Sequence, residues 1–292
     1  MAKNKQEKPY GVTSGGEKLA YALGDLGSNF VWTFCSSWLT LYYTDSVLLA
    51  AGMVGTMMLI LRLFDGVSDI LFGIMIEKTH TKMGKARPWF GASIIPLVVT
   101  QLLVYNVPSQ ASLGAKTVWV IVTYFLLTVV FYTINNLSYH AMLSRFSLDP
   151  DDRSKVSSVR GIFAFLAGLL LSIMTPAILN GNGGSQAAWT KKALIFSILC
   201  LILQAITFFT VKEKRNVGED NTTEMPHGDI KVGLKALLHT KYFYISIIVF
   251  VCTYILNGLV LAAHVYFTRD VLGNADFYSI VAIVSVVSTI IG

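Results

Sequence analysis

Apolar residues in this chain fall into long runs separated by polar breaks, not into the period-two alternation of half-buried strands. Runs of about 20 apolar residues, the length a helix needs to cross a bilayer, lie near 19–44, 50–76, 90–107, 117–143, 157–180, 193–211 and 243–268. An eighth run, YSIVAIVSVVSTIIG, begins near Tyr278 and reaches Gly292 after fifteen residues, short of the roughly 20 required. The pattern predicts an all-α polytopic membrane protein, and the short eighth run predicts that the chain is the front part of a longer one. The one long polar connection, 212–242, interrupts the runs after the sixth and is expected to be a cytoplasmic linker between two halves. The expected organisation is a polar tail (1–18), a six-helix bundle (19–211), the linker (212–242) and the start of a second bundle (243–292).

Composition supports the same class, with 54% hydrophobic residues, 14% charged residues and a mean hydropathy of +0.60. Basic residues sort by side: Lys78, Lys82, Lys85 and Arg87 between the second and third runs, Arg145, Arg153 and Lys155 between the fourth and fifth, and Lys212, Lys214, Arg215, Lys231, Lys235 and Lys241 in the linker. Lys116, Lys191, Lys192 and Arg269 fall on the opposite side. The positive-inside rule therefore predicts a cytoplasmic N-terminus in the plasma membrane. These flanking residues account for the net charge of +6, so no nucleic-acid partner is needed; the lipid bilayer is the expected partner. The tail MAKNKQEKPYGVTSGGEK lacks the apolar stretch of a cleavable signal peptide. Cys35, Cys200 and Cys252 lie within apolar runs without metal-type spacing and are expected to be packing residues.

Charge inside a span is costly unless it lines a cavity or the bundle interior. The second run, LILRLFDGVSDILFGIMI (59–76), carries Arg62, Asp65 and Asp69, which on a helix project from one face at i, i+3 and i+7. Two carboxylates on adjacent turns repel when both are ionised. Placed in this way they can bind Na⁺ through oxygen ligands, or take up and release a proton, and either makes them a coupling site. The first run places Asp25, Asn29 and Trp32 on one polar stripe. The fourth does the same with Tyr132, Asn136 and His140, and the fifth places Arg160 about one turn inside. Asn135, Thr133 and Asn257 fit equally well as polar contacts between helices. His264 lies near the end of the seventh run.

The chain has no Gly-x-Ser-x-Gly, HExxH or phosphate-cradling loop, so no enzyme activity and no cofactor are expected. Carboxylates, amides, aromatic faces and one Arg on a common cavity suit binding of a polyhydroxylated solute.

The stretch RLFDGVSD, followed by GIMIEKTHTKMGKARPW, resembles the signature of the glycoside–pentoside–hexuronide:cation symporters, the melibiose-permease-like branch of the major facilitator superfamily. YALGDLGSN, LYYTDS, FYTINNLSYHA and VRGIFAFLAG extend the likeness in family order. The resemblance implies a major facilitator fold, incomplete here: a six-helix N-terminal bundle plus about the first two helices of the second. It implies symport of a sugar with Na⁺ or H⁺, with the cation at Asp65 and Asp69 and a ligand at Thr133. Ser68 occupies a position where melibiose permeases carry an Asn that tunes cation choice. It also implies sugar contacts at Tyr132 and Arg160. Asn29 and Asn136 stand where melibiose permeases have sugar-binding carboxylates, and His140 where they have a tryptophan. With Asp25 these complete the expected substrate face and suit a pentoside, glucoside or uronide better than a galactoside. Gly73, Gly84, Lys85 and Arg87, with Pro88, resemble the superfamily loop between the second and third spans, a gating element by analogy. Two alternatives to a sugar symporter stay open, an amphiphile or lysolipid carrier of the same fold and a sugar sensor that binds without transporting.

Overall fold

The computed structural model describes residues 12–180, 185–214 and 238–266, with residues 271, 284 and 288. The chain divides into two compact units, Met1–Arg215 and Asn216–Gly292. In the first, α1 (Gly15–Leu41) is prolonged by a π-helical turn, Tyr42–Ser46, and followed by α2 (Ala51–Glu77) and α3 (Arg87–Val104). The fourth run is one helical rod in which α4 (Leu113–Phe125) and α5 (Thr133–Phe146) flank a π-helical stretch, Leu126–Tyr132. Then come α6 (Pro150–Asn180) and α7 (Gln186–Thr210). In the second unit, α8 (Lys241–Tyr266) is the described helix. The side chains of Asn257 and His264, most of the run from Tyr278, residues 1–11 of the tail and 215–237 of the linker lie outside the described residues.

Local chemistry explains the helix starts. Ser14 and Glu17 form a capping box at α1, with Glu17 N–H donating to Ser14 Oγ at 3.1 Å and Ser14 N–H to Glu17 Oε2 at 2.6 Å. Ser112 and Ser185 cap α4 and α7 through their hydroxyls. The Ser185 cap corrects one expectation. Lys191 and Lys192 precede the apolar run that begins near 193, yet α7 starts at Gln186 and takes in both, and Lys192 is fully buried with its Nζ 4.6 Å from the Trp189 ring centre. Likewise α6 begins at Pro150 and not near 157, so Arg160 sits nearly three turns into its helix.

Helix α1 packs along both α6 and α7, α3 lies against α7 and α5, and α2 lies against α5 and the π stretch. Two apolar clusters fill the bundle. One surrounds Phe34, Tyr42, Tyr105, Trp189 and Phe196; the other surrounds Tyr21, Phe90, Tyr139 and Phe146 near the basic end. Between them lies a buried polar layer. Asn135 Nδ2 donates to Ser93 Oγ (3.0 Å) and Gln204 Oε1 (2.9 Å), and Gln204 Nε2 donates back to Asn135 Oδ1 (3.0 Å) and to Ser28 Oγ (2.9 Å). These bonds pin α1, α3, α5 and α7 in one register, so Asn135 is a packing residue. Asn135→Ala removes its own bonds and strands the Gln204 amide, at a cost of about 2 kcal/mol. The apparent Tm in detergent should drop by about 5 °C, whereas Asn136→Ala, one residue on, should leave it unchanged.

Arg87–Val104, Leu113–Phe146, Pro150–Leu171 and Gln186–Thr210 are each long and apolar enough to cross a membrane. Leu63, Val67, Ile70, Ile95, Val118, Ile202 and Phe209 are exposed on the outside of the helices, a surface that hydrocarbon covers without cost. Cys35 and Cys200 are buried and Cys252 is exposed on α8; all three are free thiols.

Candidate functional site

Along α2, Val54, Leu61, Ser68 and Ile76 form the buried stripe, close to a heptad repeat. Asp65 flanks that stripe and is half-buried, and Asp69 and Arg62 turn further outward and are exposed. The arrangement treats the two carboxylates differently. Asp65 Oδ1 is buried and accepts no hydrogen bond, an expensive condition for an anionic oxygen, while Asp69 is exposed.

The hydroxyls expected near the carboxylates are both oriented by backbone. Ser68 Oγ donates to the Asp65 carbonyl at 2.9 Å, and Thr133 Oγ1 donates to the Thr128 carbonyl at 3.1 Å. Each hydroxyl has thus placed its proton on a carbonyl and keeps its lone pairs for a cation. Thr133 bonds five residues back because it closes the π-helical stretch, and that stretch packs on α2. Stretches of this type occur often at functional sites. Among the described residues no group of three His, Cys, Asp or Glu side chains could hold a metal. A monovalent cation would need the carboxylate pair, hydroxyls, carbonyls or water, as hard cations do.

The substrate candidates lie on neighbouring elements. Asp25 is buried in α1 and accepts from Asn29 Nδ2, at 3.2 Å on Oδ2 and 2.9 Å on its carbonyl. Asn29 is half-buried, as are Tyr132, Asn136 and Arg160. Asn136 Nδ2 approaches Tyr132 Oη at 3.4 Å, and the Tyr132 ring stacks on Trp32 with centroids 4.7 Å apart. One turn along α5, the exposed His140 offers Nδ1 to Arg160 Nη1 at 2.8 Å. His140 is therefore the acceptor in this pair, with its proton on Nε2. Arg160 takes part in no ion pair among the described residues, which leaves most of its donors for a ligand.

Trp32, on the polar stripe of the first run, lies between Arg62 of α2 and Tyr132 of the rod. The Arg62 guanidinium carbon lies 4.8 Å from the Trp32 ring centre. A cation–π contact to an exposed Arg contributes about 0.5–1 kcal/mol. An exposed Arg and an Asp at i, i+3 on a helix gain a comparable amount, about 0.2–1 kcal/mol. The indole and the carboxylates thus compete for Arg62 on nearly equal terms.

The gating candidates lie at the basic end. Gly73 is within α2, with open space around it. Gly84 has a φ of +108°, a conformation that suits glycine, and a Cβ there would collide with the Glu213 carboxylate. That carboxylate, three residues past α7, accepts from the N–H groups of Lys85 (3.0 Å), Ala86 (2.8 Å) and Arg87 (2.6 Å), an anion seated on the N-terminus of α3. Arg87 Nη2 donates to the Phe208 carbonyl at 2.9 Å, and its guanidinium lies over the Phe208 ring. Lys85 and Arg145 both pair with Glu77 at 2.8 Å. Burial opposes ionisation of Glu77, but the hydrogen bonds and charges of Lys85 and Arg145 outweigh it and hold the carboxyl below its ordinary value. Glu213 was missed by the sequence pattern because it falls in the polar segment assigned to the linker.

At the other end of the bundle, an open depression of about 650 Å³ lined by Asn106, Gln186, Thr190 and Lys191 holds none of these residues.

Comparison with known proteins places these features in context. A family described as MFS/sugar transport protein matches residues 20–292. An isoprimeverose transporter of Lactiplantibacillus pentosus is 32% identical over 225 residues, covering 76% of this chain and 46% of the relative. An inner membrane symporter of Escherichia coli (strain K12) is 31% identical over 205 residues, covering 70% and 44%. A glucuronide carrier protein homolog of the same strain is 26% identical over 273 residues, covering 91% and 57%. The chain spans about half the length of the curated relatives it matches.

Proposed function

The chain belongs to the MFS/sugar transport family, in its glycoside–pentoside–hexuronide branch, and on that premise we propose that it forms the cation-binding half of a sugar symporter. It is an integral membrane protein; the distribution of basic residues supports a cytoplasmic N-terminus. A sugar moves inward with Na⁺ or H⁺ by alternating access. The observation that carries this reading is Asp65: a half-buried carboxylate with an orphan oxygen, one turn from Asp69, on a helix packed against the rod that holds Tyr132 and Asn136.

In this mechanism the cation binds at Asp65 and Asp69, with the Ser68 and Thr133 hydroxyls as candidate further ligands, and neutralises a charge that otherwise opposes passage through hydrocarbon. The sugar binds on the face formed by Asn29, Tyr132, Asn136, His140 and Arg160. Amides donate and accept, matching sugar hydroxyls, and Tyr132 offers a ring to the C–H surface. Asp25 holds Asn29 in place and so acts by positioning that amide. The fully loaded and empty carriers reorient, and the singly loaded one does not. Linkage requires that sugar tighten cation binding by the same factor as cation tightens sugar.

The test is uptake of labelled xylosides, glucosides and glucuronides by vesicles containing the complete gene product, with and without Na⁺ at several pH values. Accumulation that depends on neither Na⁺ nor a proton gradient would overturn the symport reading. Within the same assay, Asn136→Ala is expected to weaken sugar affinity about tenfold, the loss of roughly one well-made hydrogen bond, and to leave cation binding in the absence of sugar unchanged. An unaltered sugar affinity would return Asn136 to a packing role.

A further inference from the structure

We propose that Trp32 is the positioning residue through which the cation site and the sugar site sense each other's occupancy; the proposal rests on the symport reading above. The indole lies between Arg62, on the helix of the cation site, and Tyr132, on the sugar face. It holds the guanidinium of Arg62, the fixed charge nearest Asp65 along α2, at 4.8 Å, and it stacks on Tyr132 with an interplanar angle of 20°. Tyr132 in turn offers Oη to Asn136 across 3.4 Å, a long contact that a small movement of the ring makes or breaks.

The direction of the effect follows from charge. Arg62 is drawn to the carboxylates and to the indole by attractions of similar size, and among the described residues it is in no ion pair. A cation arriving at Asp65 and Asp69 offsets their negative charge and repels the guanidinium, so Arg62 settles on the ring. The stack on Tyr132 is then held in place, and the Tyr132–Asn136 pair is presented to the sugar in one geometry. A sugar that orders Tyr132 first does the converse: it fixes the indole, keeps Arg62 over it and leaves the carboxylates open to the cation. Reciprocal tightening needs one element that both sites bias, and the Arg62–Trp32–Tyr132 stack has that form.

Two plainer roles make different predictions. As a packing residue, Trp32 would lower stability and both affinities together when truncated. As a platform for the sugar ring, it would set sugar affinity even without cation. A coupling residue changes neither single affinity, only the factor between them.

The complete gene product is purified in detergent, and binding of the glycoside that the wild type accumulates from the panel above is measured with the coupling cation absent and saturating. Na⁺ affinity, or the proton's through the pH dependence, is measured with and without that sugar. The wild type should show mutual tightening of about tenfold, within the usual range for coupled sites. Trp32→Leu should cut that factor to about twofold or less, with each single affinity within about threefold of wild type, and Trp32→Phe should fall between. A wild-type factor in Trp32→Leu overturns the proposal, as does a large loss of cation-free sugar affinity, which would make Trp32 the platform. Should Trp32→Leu not fold, Trp32→Phe decides, and an unreduced factor there overturns the proposal. A wild type without mutual tightening overturns the symport reading itself, so the two failures are distinguishable.

Discussion

Replacing Asp69 with Asn is expected to abolish concentrative uptake while leaving exchange of sugar down its gradient. In the proposed site the carboxylate pair supplies most of the attraction for a cation, because few other anionic ligands are nearby among the described residues. Removing one unit charge at about 4 Å, at an effective dielectric constant of about 20, costs about 4 kcal/mol. Cation affinity should therefore drop on the order of a thousandfold. The proposed sugar contacts on α1, α5 and α6 remain, so cation-free sugar affinity should change little. Asp65→Asn should be at least as severe, because Asp65 is the more buried of the two and its Oδ1 has no other partner. The pair separates the proposed mechanism from its rivals. A sensor that binds without transport would show no accumulation in the wild type, and an uncoupled carrier would be indifferent to both substitutions. Full accumulation by the Asp69→Asn protein would remove the coupling site proposed here.

Much of this arrangement is visible in the sequence because the bilayer imposes a strict length on each helix. The same medium makes Arg62, Asp65 and Asp69 conspicuous, since charge in a span calls for a reason. Four-residue spacing even separates neighbours: Tyr132, Asn136 and His140 share one face, while Asn135, a 100° rotation away, turns inward to Ser93 and Gln204. Features that depend on a distant partner could not be read in this way. Lys192 breaks the apolar run, and nothing in its own helix announces that it is fully buried with its Nζ over Trp189. LLTVVFY carries no mark in its composition of the wider π-helical turn that packs against α2 and α3. The Arg62–Trp32 contact joins residues on different helices, and no periodicity within one helix reveals it.

Glu213 is the other residue that periodicity hides, and its removal should have the largest structural effect at the basic end. Its carboxylate is held by three consecutive N–H groups at the start of α3, donors that have no intrahelical partner. Charge-assisted bonds of this kind contribute about 1.5–3 kcal/mol each when considered singly, and their sum overstates the effect because water reaches part of the site. Glu213→Ala is expected to cost about 3 kcal/mol, visible as a fall in apparent Tm of roughly 5–10 °C. Glu213→Gln, which keeps an acceptor but not the charge, should recover about half. Gly84→Ala attacks the same contact from the other side, because a Cβ there occupies the space of the Glu213 carboxylate and the backbone sits at φ +108°. If the carboxylate is what Gly84 accommodates, the two losses overlap: the double variant should be little worse than Gly84→Ala alone, with a coupling energy of about 2 kcal/mol in a double-mutant cycle. Strict additivity would mean that the glycine serves only the backbone turn and that the end of α7 is not what holds the loop. The same cycle read in transport would test the gating role. A loop released from α7 should shift the balance between inward- and outward-facing carriers, changing the rate of exchange without changing Asp69-dependent cation affinity, which lies some two turns further along α2.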